Sequence, residues 1–246
     1  MVKQSRDMTI LLTRPAAQSL RFARELRQAL GDVPIVISPL MAPQYLNPSI
    51  PSGDFAAVIL VSGAAVDAAK RISAAGAVLP SLAYCVGNRT AAAAKAAGFR
   101  AHSANGDAAA LLAMIVAVKP GGPLLFLRGH DSSGNIENTL FSAGIETVSA
   151  IVYQQLAQPL TAKATALLHQ AQPVIVPLFS PRSAHLFQSE IARLSSATPL
   201  WVAALSPAIA AVLDAKTATR VQIATHSDSA SMIIALRALL SLGGAP

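Results

Sequence analysis

Short apolar segments alternate with alanine-rich helical segments along the whole of this 246-residue chain. The apolar segments are rich in Val, Ile and Leu, and residues 55–61 and 174–179 have no polar residue on either face. Strands that are apolar on both faces are typical of parallel sheets covered by helices on both sides. The pattern therefore predicts an α/β protein built on doubly wound parallel sheets.

A repeat within the sequence indicates two similar lobes. Three units recur in the same order, and the spacing from the first unit to the second differs by only one residue between the copies. The matching pairs are residues 55–62 with 173–180, 83–90 with 201–208, and 105–107 with 226–228. Single short apolar matches can arise by chance, but three units in register favour duplication.

Two long extended segments, residues 35–46 and 147–156, bracket the first copy of the repeat. If these segments run side by side between the lobes, the N-terminal strand and helix belong with the C-terminal copy. We therefore predict a discontinuous first lobe formed by residues 1–38 and 157–246. Residues 39–156 form the second lobe, which includes the two strands that link the lobes.

The composition excludes several classes of protein. With 53% hydrophobic and 13% charged residues, the chain is not intrinsically disordered. No apolar run reaches the roughly 20 residues that span a bilayer, and no apolar stretch of signal-peptide length precedes Thr13. Cys85 is the single cysteine, which excludes a disulfide scaffold and a multi-cysteine metal site. We expect a cytoplasmic protein.

The net charge of +7 leaves two interpretations open. The excess of basic residues either serves solubility or favours an acidic partner. Nucleic acid fits poorly, because the basic residues are scattered and aromatic residues, which stack on bases, make up only 4% of the chain. The acidic partner that remains is a small polyanionic ligand.

Small polar residues and arginines follow most of the predicted strands. In parallel sheets, ligands bind beyond the carboxyl ends of the strands, where helix N-termini present free N–H groups. Each such residue could equally be an ordinary helix cap. Together they suit a ligand with many carboxylates. The candidate substrate-binding residues are Thr13, Arg14, Ser62, Gly87, Thr90, Arg128, Gly129, Ser180, Pro181 and Ser206.

An ordered set of short motifs resembles the uroporphyrinogen-III synthase family over about residues 9–240. The motifs are Thr13-Arg14-Pro15, the turn at Ser62, residues 86–91, Leu127-Arg128-Gly129, Val152-Tyr153 and Phe179-Ser180-Pro181. Each motif is short, but the ordered set is specific. The resemblance implies two α/β lobes joined by a two-stranded ladder, with the first lobe discontinuous.

The resemblance also implies a lyase of tetrapyrrole and heme biosynthesis. Enzymes of this family expel the hydroxyl of linear hydroxymethylbilane as water and close the macrocycle with the last pyrrole ring inverted. The proposed course passes through an azafulvene and a spiro-pyrrolenine, without a metal or organic cofactor. The substrate carries eight carboxylates, which suits a chain of charge +7. We expect a monomer that receives its substrate by transient handover from the preceding pathway enzyme, with no nucleic-acid or membrane partner.

Tyr153 matches the family's tyrosine that is proposed to assist departure of the hydroxyl. A tyrosine phenol has an ordinary pKa of about 10, so it is protonated at neutral pH and can donate to a leaving oxygen. From the residues alone, Tyr153 could equally be an ordinary residue of an amphipathic strand. Thr90 matches a threonine that contacts the substrate in the family.

One segment departs from the family pattern. Where the family usually has Gly-x-Thr-Thr, this sequence has Ser206-Pro207-Ala208-Ile209 and lacks those hydroxyls. We expect backbone N–H groups to replace them. The alternative that this segment supports is a non-catalytic, two-lobed binding protein for a polyanionic small molecule.

Overall fold

A computed structural model describes residues 8–131, 135–214 and 217–243 of the chain. Strands and helices alternate through these ranges, so the predicted α/β class is confirmed. In chain order the elements are β1 (Thr9–Leu12), α1 (Ala16–Leu30), β2 (Ile35–Ile37), β3 (Met41–Tyr45), β4 (Ala57–Leu60), α2 (Gly63–Ala74), β5 (Leu82–Cys85), α3 (Asn88–Ala96), β6 (Arg100–Ser103), α4 (Ala108–Val118), β7 (Leu124–Gly129), α5 (Ile136–Ser142), β8 (Thr147–Ala157), α6 (Ala162–Leu167), β9 (Val174–Leu178), α7 (Pro181–Leu194), β10 (Leu200–Ala204), α8 (Pro207–Ala210), β11 (Arg220–Ile223) and α9 (Ser229–Leu242).

The described chain groups into two compact units. Unit 1 contains the residues up to Ala42 and those from Ala157 onward, and unit 2 contains Pro43–Leu156. The first boundary lies a few residues after the position predicted from the sequence. Leu40 accounts for this, because it is fully buried in a core cluster of unit 1.

The sheet of unit 1 is parallel, with the strand order β11-β10-β9-β1-β2. Alternate residues of each strand face opposite sides of the sheet. On β1, Leu11 packs into a cluster with α6, α7 and α8, while Ile10 and Leu12 pack into a second cluster with α1 and α9. The sheet is therefore covered by helices on both faces, as its apolar strands require.

The sheet of unit 2 has the order β3-β8-β7-β4-β5-β6, and β8-β7-β4-β5-β6 pair in parallel. Helices α2 and α3 cover one face, and α4 and α5 cover the other. These five strands have the same order as β2-β1-β9-β10-β11 of unit 1. The repeat predicted from the sequence is confirmed by this shared topology.

Helix capping is repeated together with the topology. A serine precedes α2 in unit 2 and the corresponding helix α7 in unit 1. An aspartate precedes α4 in unit 2 and the corresponding helix α9 in unit 1. Each side chain accepts a hydrogen bond from a backbone N–H in the first turn, which stabilises the helix start. The four bonds are Ala65 N to Ser62 Oγ (3.1 Å), Ser183 N to Ser180 Oγ (3.2 Å), Ala110 N to Asp107 Oδ1 (3.0 Å) and Ser231 N to Asp228 Oδ1 (2.7 Å).

Two elements differ from the sequence expectation. The sequence pattern predicts a helix over residues 208–216, and this length is wrong, because α8 ends at Ala210; residues 215–216 lie outside the described residues. Its continuation is replaced by a tertiary contact, in which the Asp214 N–H donates to Gln188 Oε1 on α7 at 2.9 Å. Strand β6 was not predicted, since only Ala101 of its four residues is apolar and buried.

No helix in the described part of the chain is long and apolar enough to cross a membrane.

We expect Phe187→Ala to lower the free energy of unfolding by about 3–5 kcal/mol, because truncating a buried phenylalanine loses apolar contacts and leaves a cavity. Phe187 is fully buried between α7 and the sheet of unit 1. Phe141 on α5 is 78% exposed and provides the matched control, for which Phe→Ala changes stability by less than about 0.5 kcal/mol. Denaturant titration measures both, and equal losses would contradict this assignment of the core.

Candidate active site

A β-bulge directs Tyr153 to one face of the unit 2 sheet. The register of β7 with β8 moves from Arg128 opposite Ile151 to Gly129 opposite Tyr153, so β8 carries one extra residue at this point. Regular alternation would place Tyr153 on the face opposite to Ala150, whereas both pack against the same core cluster. Bulges commonly redirect a side chain in this way near functional sites.

The Tyr153 hydroxyl meets the N-terminus of helix α2. Its oxygen lies 3.0 Å from Ser62 Oγ, which also accepts the Ala65 N–H as the cap of α2. Ser62 can therefore donate its own proton to the Tyr153 oxygen while it accepts from the helix. The partial positive charge of a helix N-terminus favours negative charge at this position.

Gly129 provides the space that the Tyr153 ring occupies. A Cβ atom on Gly129 would lie 2.7 Å from Tyr153 Cζ and 2.9 Å from its hydroxyl oxygen, closer than atoms can approach without displacement. The backbone of Tyr153 is held by the next residue of the chain, because the His130 N–H donates to the Tyr153 carbonyl at 2.8 Å. Gly129 is thus required by the close approach of a side chain.

Arg128 is held by polar groups at the end of β7. Its Nε lies 3.5 Å from Glu137 Oε1 and 3.4 Å from Ser149 Oγ, and a terminal nitrogen donates to the Gly129 carbonyl at 3.3 Å. The Arg128 side chain is about one quarter exposed. It is therefore oriented by its neighbours before any ligand is present.

Gly87 and Thr90 lie at the start of helix α3. Gly87 is the cap residue, and its carbonyl accepts the Ala91 N–H at 3.0 Å. Thr90 is in the first turn and is 7% exposed. The structure thus places both predicted residues beyond the carboxyl end of β5, which is the strand next to β4 in the sheet.

In unit 1, Thr13 and Arg14 follow β1 directly. Thr13 is 1% exposed, and its hydroxyl is a buried oxygen without a hydrogen-bond partner among the described residues. Such groups are uncommon and each costs about 1–3 kcal/mol. The Arg14 guanidinium stacks on the Phe179 ring at 3.8 Å, and its Nε donates to Gln18 Oε1 at 3.1 Å.

The remaining candidates of unit 1 begin helices α7 and α8. Ser180 forms a reciprocal capping box with Ser183, and Pro181 takes the first helical position, where a missing N–H is tolerated. Ser206 precedes α8, and its side chain makes no capping hydrogen bond. These residues occupy the carboxyl ends of β9 and β10 in the same way as Ser62 and Gly87 occupy those of β4 and β5.

Other reactive groups are less suited to chemistry. Burial raises the pKa of the Cys85 thiol to about 11, so it stays protonated at neutral pH. Within the described ranges, no three His, Cys, Asp or Glu side chains are grouped so that they could hold a metal ion. Of the predicted residues of unit 2, the structure brings Ser62, Gly129 and Tyr153 into one contact group.

Tyr45 lies beside this group and was not predicted. Its hydroxyl donates to Asp67 Oδ2 at 3.3 Å, and it packs against the same core cluster as Tyr153. The available signal was the expected ladder between residues 35–46 and 147–156, which brings the two tyrosines near each other. The ladder alone does not identify Tyr45, because the pairing register of two strands is not evident from composition.

Comparison with known proteins identifies related sequences and structures. Residues 21–234 match the sequence model of the family described as Uroporphyrinogen-III synthase HemD. The uroporphyrinogen-III synthetase structure from Helicobacter pylori is 16% identical with a TM-score of 0.59, over 96% of this chain and 99% of that chain. A mutant uroporphyrinogen III synthase from the extremely thermophilic bacterium Thermus thermophilus is 14% identical with a TM-score of 0.48, over 96% and 99% of the two chains. No curated protein matches the sequence significantly.

We expect Gly129→Ala to move the Tyr153 ring and to break its hydrogen bond with Ser62, because the new methyl group would overlap the ring. The cost in unfolding free energy is about 1–3 kcal/mol, as for other overpacked sites. The crystal structure of the variant and a denaturant titration measure both effects. Gly122→Ala is the control, since its Cβ would make an ordinary contact with Ala56 at 3.6 Å. An unmoved Tyr153 ring would contradict the role given to Gly129.

Proposed function

The chain belongs to the uroporphyrinogen-III synthase family and is an enzyme of that type, and we propose that it cyclises hydroxymethylbilane to uroporphyrinogen III. In this reaction the terminal hydroxyl of the bilane leaves as water, and the macrocycle closes with the last pyrrole ring inverted. The observation that carries the proposal is the Tyr153 hydroxyl, which lies 3.0 Å from Ser62 Oγ at the start of α2.

Tyr153 acts as the proton donor to the departing hydroxyl. When Ser62 donates to the Tyr153 oxygen, the phenol proton is free to point at the leaving group, so bond cleavage releases water. The Ala65 N–H, Ser62 and the α2 N-terminus stabilise the negative charge that develops on the phenol oxygen. A positioned proton donor of this kind contributes roughly 100-fold or more to a rate.

The substrate's carboxylates are held mainly by backbone N–H groups and helix N-termini. Arg14 and Arg128 already have partners within the protein, Phe179 and Gln18 for the first and Glu137 and Ser149 for the second. Neither arginine is therefore a dedicated clamp. Distributed backbone donors also explain how Ser206-Pro207-Ala208-Ile209 can serve without threonine hydroxyls.

We place the enzyme in the cytoplasm as a monomer that accepts the bilane from the preceding pathway enzyme. The buried, reduced Cys85 is compatible with that compartment.

We expect Tyr153→Phe to fold normally and to form the type III isomer roughly 100-fold more slowly, because it loses the positioned proton donor. The assay supplies hydroxymethylbilane and resolves the uroporphyrin isomers. Tyr84→Phe is the control, because Tyr84 is buried in the core cluster on the α4–α5 face. Wild-type turnover by Tyr153→Phe would remove Tyr153 from the mechanism. If the unmutated protein binds the bilane but forms no type III product, the non-catalytic alternative is favoured.

We expect Arg14→Ala and Arg128→Ala each to weaken substrate binding by no more than about 1–3 kcal/mol, the range for one hydrogen bond to a charged group. Backbone donors remain in place in both variants. A binding titration of the two folded variants measures the effect. Complete loss of binding in either one would show that arginine side chains carry recognition.

A further inference from the structure

Tyr45 and Tyr153 face each other across neighbouring strands. The Leu46 N–H donates to the Val152 carbonyl at 2.9 Å, and the Gln154 amide donates to Gln44 Oε1 at 2.6 Å. A second backbone bond, from the Gln158 N–H to the Leu40 carbonyl at 2.9 Å, shows that β3 and β8 run in opposite directions, and this register places Tyr45 opposite Tyr153. Side chains at such positions have Cβ atoms about 4.5–5.5 Å apart and pack against one another.

Both tyrosines are anchored to the same helix. Tyr153 reaches Ser62 at the N-terminus of α2, and Tyr45 donates to Asp67 in its second turn. Arg71, one turn further along α2, places its guanidinium 4.4 Å from the centre of the Tyr45 ring. Asp67 therefore holds the hydroxyl of Tyr45 while Arg71 covers its ring, at a distance typical of cation–π contacts.

The Tyr45 hydroxyl is poorly suited to proton donation itself. Burial, the Asp67 carboxylate and the neighbouring Tyr153 raise the pKa of the Tyr45 phenol. The Tyr45 hydroxyl also already donates its hydrogen bond to the Asp67 carboxylate. Its contribution to the reaction must therefore come through the position of its ring.

We propose that Tyr45 is a positioning residue, which is held by Asp67 and Arg71 and keeps the Tyr153 hydroxyl on Ser62. Tyr153 is only partly buried. Its hydroxyl stays in contact with Ser62 Oγ only while the ring is held from both sides. Gly129 provides the surface on one side, and Tyr45, which lies opposite on β3 and packs against the same core cluster, is the neighbour on the other side. Misplacement of a catalytic group by about 1 Å can cost up to 100-fold in rate, so loss of this support affects turnover more than substrate affinity.

A double-mutant cycle tests whether Tyr45 acts through Tyr153, and it rests on the proposed function. We expect Tyr45→Leu to lower kcat for the type III isomer roughly tenfold with little change in KM. In the Tyr153→Phe background the same change should lower kcat less than about twofold, because the group being positioned is already absent. Equal losses in the two backgrounds, or no loss in the wild-type background, would overturn the proposal.

Tyr45→Phe keeps the experiment decisive if the leucine variant does not fold. It retains the ring but removes the bond to Asp67, and we expect a loss in kcat of roughly threefold that likewise disappears in the Tyr153→Phe background. A loss that persists in that background would contradict a role through Tyr153.

A spectroscopic measurement separates this proposal from the proposed function. The chain contains three tyrosines, so a protein labelled with ¹³C at tyrosine Cζ gives three phenol signals that single Tyr→Phe variants assign. We expect Tyr45→Leu to shift the Tyr153 signal and to leave the Tyr84 signal in place, whether or not the protein turns over the bilane. An unchanged Tyr153 signal would refute the positioning role, whereas absence of type III product from the wild-type enzyme would refute only the proposed function.

Discussion

The requirement that both faces of a parallel sheet be buried determines most of this structure. The central strands of the two sheets, β1, β9 and β10 in unit 1 and β4, β5 and β7 in unit 2, send alternate residues into two separate clusters, and each cluster needs its own helices. Polar groups are thereby excluded from the strand interiors and collect where the strands end. Ser62 and Arg128 lie at such ends, and Tyr153 lies on β8 opposite Gly129, the last residue of β7, so the reactive surface follows from the same constraint as the core.

That constraint also explains why much of the fold could be predicted from the sequence. Strands such as β1 and β10, which are apolar on both faces, and helices that end at Gly31 or Gly144 carry their signals locally. Strand β6 lacked such a signal, because a strand at the sheet edge can carry arginine and histidine. Helix α8 is shorter than its sequence suggests, because Gln188 of another helix bonds the backbone of Asp214.

The candidate site was less accessible to sequence reasoning. Tyr153 was identified through a family resemblance, since a tyrosine in an extended segment has no distinctive pattern. Its orientation depends on a one-residue bulge opposite Arg128 and Gly129, and its support depends on which residue of β3 lies across from it. Register and bulges are set by contacts between distant segments, so local sequence does not specify them.

The discontinuity of unit 1 has a consequence for synthesis of the chain on the ribosome. Strand β1 lies between β2 and β9 in its sheet, but the whole of unit 2 is translated between β2 and β9. Domains usually fold in the order of their synthesis. Here unit 2 is contiguous and can complete its sheet while β1 still has an open edge, and while its Leu11 face still lacks the covering helices α6, α7 and α8. Strand β1 is thus buried later than the strands of unit 2 that are translated after it, which leaves this segment of the nascent chain exposed to aggregation and to chaperone binding.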